Sequence, residues 1–343
     1  NPALEEALVA LLVVAAAAAW RFWPRFRRWR DQARHDQQLL QTILQHKPPA
    51  AQGELTITTG QTLIGQNGSY VLLRLLGKGG MGAVYEAAAT GLVDRQVAVK
   101  VIQHGGWDDE DLQRRFLREF QACRNLNHPA IVKVLDWGVC AAETRSAPFM
   151  AMELLSGRTL HHVYHEAGGP VPPARVVRWL LETLQGLRIA HQAGIIHRDI
   201  KPDNLMLTES RHIKIMDFGI AHQHDQALTK SNVAMGTPLY MSPEHVNAQK
   251  VGPESDIYSL GMVGYELLCG RHPLEDNKND WAWNILARIL TEPVPHLHTL
   301  NPNIPDGLAL VIMKMVEKDR KDRYQTAPDA TAALIACGVP AET

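Results

Sequence analysis

Three glycines in a Gly-x-Gly-x-x-Gly pattern, within Gly77-Lys78-Gly79-Gly80-Met81-Gly82, are the first residues whose spacing carries chemistry. Glycine admits positive φ and a close backbone approach, so successive amides can close over phosphate oxygens. Alone the pattern is weak, because dinucleotide-binding folds share it. In those folds a helix opens at the last glycine and an acid follows about 20 residues on. Here Ala83-Val84-Tyr85 continues as strand toward a Thr90-Gly91 turn, which predicts a strand-turn-strand lid and removes the nucleotide-dependent oxidoreductase reading. Lys100 ends the alternating strand Val97-Ala98-Val99-Lys100, where an ammonium is costly unless a phosphate or carboxylate meets it. Glu119, in the helical run Phe116-Leu117-Arg118-Glu119-Phe120, is its natural partner; taken singly, both read as ordinary surface charges.

These residues need elements to position them. Residues 63–76 are rich in β-type side chains, and strands alternate with turns up to about residue 151, interrupted by one helical stretch at 109–126. From residue 175 onward, amphipathic runs at 175–193, 256–270 and 308–318 predict a mainly helical second half. With 343 residues and 45% hydrophobic composition, the chain has the material for one large or two-lobed domain. Lys and Arg number 35 against 36 acids, which gives no polyanion signal and predicts no nucleic-acid partner. Cys123, Cys140, Cys269 and Cys337 form no CxxC pair, so they read as buried small hydrophobes in a reducing compartment. His161, His162 and His165, and likewise His222 and His224, lack a further ligand at metal-site spacing and read as solvated surface.

The N-terminal residues have a different composition. Residues 7–20 are uncharged and apolar, after which Arg21, Arg25, Arg27, Arg28 and Arg30 alternate with aromatic residues. A spanning helix needs about 20 apolar residues, and snorkelling of Arg21 would extend this run to Phe26. Glu5 and Glu6 precede the run and the arginines follow it, the order of an anchor with a cytoplasmic C-terminal side rather than of a cleaved signal peptide. Residues 1–30 are therefore expected to form a membrane-anchor helix, with an interfacial or partner-bound helix as the alternative. Residues 31–66 read as a juxtamembrane helix and linker: Leu39, Leu40, Ile43 and Leu44 have helical spacing, and Pro48 and Pro49 end it.

Downstream, His197-Arg198-Asp199-Ile200-Lys201-Pro202-Asp203-Asn204, Asp217-Phe218-Gly219 and Ser242-Pro243-Glu244 join the two earlier motifs in order. Together they resemble the protein-kinase family, over residues 70–338. The form Gly-Lys-Gly-Gly-Met-Gly-Ala-Val-Tyr is most similar to the eukaryotic-like (Hanks-type) bacterial serine/threonine kinases. The resemblance implies an α+β, bilobal fold: a β-rich N-lobe with one main helix (70–151), a hinge (153–155) and a mostly helical C-lobe (156–338), preceded by the apolar helix. It also implies ATP-dependent phosphorylation of Ser or Thr in proteins, with Mg²⁺ as metal and Mn²⁺ as a substitute. With the anchor, the expected setting is the cytoplasmic face of a bacterial inner membrane, with a cytoplasmic alternative.

Carried over residue by residue, Asp199 is the catalytic base, and Lys201 steadies the transferring phosphoryl group. Lys100 holds the α- and β-phosphates and pairs with Glu119, while Asn204 and Asp217 bind the metal. Gly77, Lys78, Gly79, Gly80, Met81, Gly82, Val84 and Ala98 enclose the nucleotide, Met152 is the gatekeeper, and Glu153, Leu154 and Leu155 present hinge backbone to the adenine. Lys201 and Thr237 follow the serine/threonine pattern. Arg198 awaits an anion, for which Thr229 and Ser231 are the expected phosphosites, and a homodimer would serve autophosphorylation in trans. Glu244 with Arg323, and Asp256, carry structural roles in this likeness, and Ser242 replaces the commoner alanine. A catalytically silent nucleotide-binding scaffold at the membrane is the rival reading, although each catalytic residue type is present.

Overall fold

The computed structural model describes residues 57–79, 82–91, 95–102, 110–141, 146–218, 238–274 and 282–342. The expected anchor and juxtamembrane helices, Gly80, Met81, Thr229, Ser231 and Thr237 lie outside these residues. Six strands form the first sheet: β1 (Thr62–Ile64), β2 (Gly68–Gly79), β3 (Gly82–Gly91), β4 (Arg95–Ile102), β5 (Val134–Ala141) and β6 (Ser146–Glu153). Their order is β1-β2-β3-β4-β6-β5, every pairing antiparallel.

Strand parity divides this sheet into two faces with different duties. Tyr85 lies opposite Val99, and Val99 opposite Ala151; with Val97, Val101 and Phe149 they belong to one buried apolar cluster. On the other parity Val84 lies opposite Lys100, and Ala98 opposite Met152. A one-residue slip would bury Lys100 in the apolar cluster, so core packing fixes the register that aims the functional residues. Helix α1 (Glu110–Arg124) packs Phe116 and Phe120 against Trp137 of β5, with ring centroids 6.3 and 5.9 Å apart, and Glu119 is half-buried on it.

The second half is helical, as its periodicity predicts: α2 (Leu160–Ala167), α3 (Pro173–Gln192), α4 (Pro243–Val246), α5 (Pro253–Cys269), α6 (Ala282–Thr291), α7 (Leu297–Leu300), α8 (Asp306–Met315) and α9 (Ala327–Ala336). Every residue of α5 from Glu254 to Cys269 is buried, the signature of a helix at the centre of a lobe rather than on its rim. At Gly264 of α5, an added Cβ would stand 3.1 Å from both Leu180 of α3 and Ile312 of α8, so the missing side chain lets three helices close on one another. A small sheet of β7 (Gly157–Thr159), β8 (Leu205–Thr208) and β9 (Ile213–Ile215) lies where the functional loops begin and end. Among the described residues no helix is long and apolar enough to cross a membrane. Cys123, Cys140 and Cys269 are buried as expected, whereas Cys337 is only partly covered because it follows the last turn of α9.

Candidate active site

The segment 197–204 leads from α3 into β8, and its geometry is set from below by α5. Asp256, on the first turn of that helix and almost fully buried, accepts the backbone N–H groups of His197 (2.9 Å) and Arg198 (2.8 Å). His191 of α3 adds a contact from Nε2 to the same carboxylate at 2.8 Å. These bonds hold Arg198 at φ 67°, a left-handed conformation that costs a non-glycine residue of order 1–3 kcal/mol. Asp217 also has a positive φ, 55°. Two strained backbones flank one site.

His197 is buried, and burial lowers its pKa despite the carboxylates around it. The neutral ring donates from Nε2 to the carbonyl of Met216 (2.8 Å) and accepts the Asp199 N–H at Nδ1 (3.2 Å). Its ring also meets that of Phe218, centroids 4.7 Å apart. One histidine thus ties the loop bearing Asp199 to the segment bearing Asp217.

Around Asp199 the polar groups converge. Lys201 Nζ donates to its Oδ2 at 2.8 Å, and Asn204 Nδ2 donates to the same oxygen at 2.9 Å and to the Asp199 carbonyl at 2.7 Å. Asn204 spends its donor on Asp199 and keeps its amide oxygen as an acceptor. It is itself fixed by the short helical turn Pro202–Asn204, and its carbonyl accepts the Met216 N–H at 2.8 Å. Across the site, Lys100 Nζ stands 2.8 Å from Asp217 Oδ1. The side chain from the first sheet therefore reaches the expected metal-binding carboxylate directly, a pairing that spacing along the chain could not reveal.

The surroundings suit a phosphorylated, metal-bound ligand. An amide oxygen and a carboxylate are hard donors of the kind Mg²⁺ takes while retaining water. Among the described residues, added Cβ atoms at Gly77 and Gly79 would meet nothing within 4 Å, so this packing does not itself demand glycine there and leaves the backbone open to approach. Gly82, at φ 148°, opens β3 in a conformation that side chains disfavour. At the strand end beyond buried Met152, the Glu153 N–H is already donated to Lys133 O (2.9 Å). Its carboxylate accepts from the Lys133 N–H (2.7 Å) and from Lys214 Nζ (2.5 Å). Any adenine contact at Glu153 therefore falls to its carbonyl.

Two further features complete the geometry. Glu244 and Arg323 form a fully buried two-pronged pair at 2.7 and 2.8 Å, tying α4 to the chain before α9. Arg198 carries a buried Nε with no hydrogen-bond partner among the described residues.

The family model for the protein kinase domain matches residues 70–334. The chain belongs to the protein kinase family. It is 38% identical over 273 residues to a probable serine/threonine-protein kinase of Streptomyces coelicolor, which covers 79% of this chain and 40% of that relative. It is 36% identical over 275 residues to the serine/threonine-protein kinase PrkC of Bacillus subtilis, covering 79% of this chain and 41% of the relative. To PknB of Mycolicibacterium smegmatis it is 37% identical over 270 residues, covering 78% and 42%. This kinase chain thus spans about two fifths of the length of the curated relatives it matches. Membership implies use of ATP and a divalent cation. The family motifs direct attention to Asp199, Asn204 and Asp217; His191 belongs to none of them, and only its contact with Asp256 marks it.

Proposed function

We propose that the protein is an active serine/threonine protein kinase that transfers the γ-phosphate of ATP to hydroxyl groups of other proteins. The observation that carries the reading is the convergence of Lys100, Asp199, Lys201, Asn204 and Asp217 within a few hydrogen bonds. Asp199 orients the attacking hydroxyl and accepts its proton, which requires the carboxylate that Lys201 and Asn204 hold in place. Lys201 and Lys100 place positive charge where phosphoryl oxygens gather, and they are positioned before substrate arrives. Asn204 and Asp217 would hold the metal, which supplies charge neutralisation to the nucleotide when bound. The loose transition state of phosphoryl transfer asks for alignment more than covalent help, so preorganisation by Asp256 and His197 is the main contribution of the fold.

A silent scaffold would require a missing group, and each is present. The discriminating experiment compares wild type, Asp199→Asn and Lys100→Met for ATP binding and for transfer to a generic basic protein. Binding retained by Asp199→Asn with transfer lost supports the enzyme; binding without transfer in wild type makes the scaffold primary.

Three finer statements extend the proposal. The apolar, arginine-flanked residues 1–30 anchor the kinase at a bacterial inner membrane with its catalytic part in the cytoplasm, tested by whether removing them releases the protein from membranes. Phosphorylation at Thr229 or Ser231 supplies the anion for Arg198, tested by mass spectrometry of active protein. A transient homodimer delivers that phosphate in trans, tested by whether wild type labels the Asp199→Asn variant.

A further inference from the structure

Away from Asp199, the paired strands β7 and β8, the β8–β9 turn and the start of α3 enclose a cavity of about 490 Å³ lined by four arginines: Arg158, Arg175, Arg178 and Arg211. Two are committed within the fold. Arg158 pairs with Glu166, and Arg178 donates to Glu182 (3.1 Å) and to the Arg211 carbonyl (2.8 Å). Of the other two, only Arg175 has a side-chain partner among the described residues. The Arg211 guanidinium makes no hydrogen bond or ion pair among the described residues, and Arg175 donates through Nε (2.8 Å) and Nη2 (3.1 Å) only to Glu342.

Glu342 arrives from beyond α9, and its N–H also donates to the carbonyl of Ala174 at 3.1 Å. The cavity therefore already holds a peptide in miniature, one carboxylate in a two-pronged arginine grip and one backbone amide on a fixed carbonyl. The hydrogen bond from Arg175, with the positive field of Arg175, Arg211 and Arg178, favours the ionised carboxylate. Both side chains are about two fifths exposed, so the pair is open to exchange with other anions. Glu209 is the other acid at the wall, and the Arg211 side chain, with no hydrogen bond or ion pair among the described residues, has capacity for a second carboxylate.

We propose that this cavity is a docking site for an acidic, extended peptide segment of a protein partner, and that Glu342 is a tethered occupant which the partner displaces. Planar guanidinium groups suit carboxylates two at a time, and a tethered ligand competes at an effective concentration of order millimolar. The pairing lies outside the catalytic residues and does not depend on phosphoryl transfer.

The test measures binding of a fluorescein-labelled hexaglutamate peptide to the full chain by anisotropy at low ionic strength. Glu342→Gln is expected to tighten binding about two- to fivefold, because a partly exposed pair is a weak competitor. Arg175→Gln combined with Arg211→Gln is expected to weaken it at least about tenfold, as loss of two charge-assisted contacts should. Both variants alter side chains that are exposed or only partly buried, and unchanged thermal unfolding verifies that they fold. Hexaglutamate that fails to bind the Glu342→Gln protein, or binds the double variant as well as wild type, overturns the proposal. Inorganic phosphate displacing the peptide at equal concentration also overturns it, since the site then takes a free anion.

Discussion

Asp256 has a greater effect on the site than its distance from the chemistry suggests. Its two oxygens accept two backbone N–H groups of the loop that presents Asp199, and Arg198 is held in a left-handed conformation between them. Replacing it with Asn turns one acceptor into a donor facing a backbone N–H, a mismatch worth roughly 1–3 kcal/mol in a buried site. We predict that Asp256→Asn lowers kcat by more than tenfold while the KM for ATP changes little, measured by steady-state transfer to a peptide. Equal loss in both constants would assign Asp256 a merely structural part. Asp199→Asn removes the proton acceptor itself and is expected to cost about 10²–10⁴ in kcat, the range for a positioned general base. The sequence placed Asp199, Lys201 and Asn204 in one loop, because short spacing forces proximity. It was silent on His191, which lies outside the family motifs, and on the pairing of Lys100 with Asp217, which depends on how two distant segments meet.

Among the elements, α5 organises the second lobe, and the ion pair Arg323–Glu244 is the most buried of the described pairs at its periphery. Arg323 is buried, grips Glu244 with two bonds, donates to the carbonyls of Glu254, Glu317 and Lys318, and lies 4.8 Å from the Tyr258 ring centre. Truncating one partner strands the other charge in a low-dielectric site. Arg323→Ala is therefore expected to destabilise the fold by about 3–5 kcal/mol, read from the midpoint of urea unfolding. A loss under about 1 kcal/mol would mean that water replaces the guanidinium. Helical periodicity made α3, α5 and α8 legible within a few residues at each end. It did not mark α5 as buried on all sides, since Glu254, Ser255, Asp256 and Glu266 give it polar residues that only tertiary partners explain. The strands were legible by alternation, and the two-face division followed once β4 paired with β3 and β6.

For the whole molecule, buried titratable groups set a direction for pH dependence. Burial pushes the His272 ring down to about 3. Burial opposes ionisation of Glu244, yet the bonds from Arg323 and Ser255 overcome it and hold its carboxyl at about 2. The unfolded chain takes up a proton on His272 near pH 6.5 and on Glu244 near 4.5, while the folded chain refuses both until far lower pH. The histidine contribution is complete above about pH 6.5 and is lost progressively toward 3; the glutamate contribution is complete above about 4.5 and is lost toward 2. His197, also lowered by burial, acts in the same sense as His272. Melting temperature should therefore fall steadily on acidification below about pH 6.5, and a flat profile between 6.5 and 4.5 would contradict the burial of both imidazoles.

The central claim is phosphoryl transfer from ATP to serine or threonine by the residues gathered around Asp199. Its most direct test incubates purified wild type and Asp199→Asn protein with radiolabelled ATP, magnesium and a basic protein substrate, and then maps the modified residues. The account predicts label on serine and threonine with wild type and none above background with the variant. Equal label from both proteins, or none from wild type that binds ATP, would contradict it.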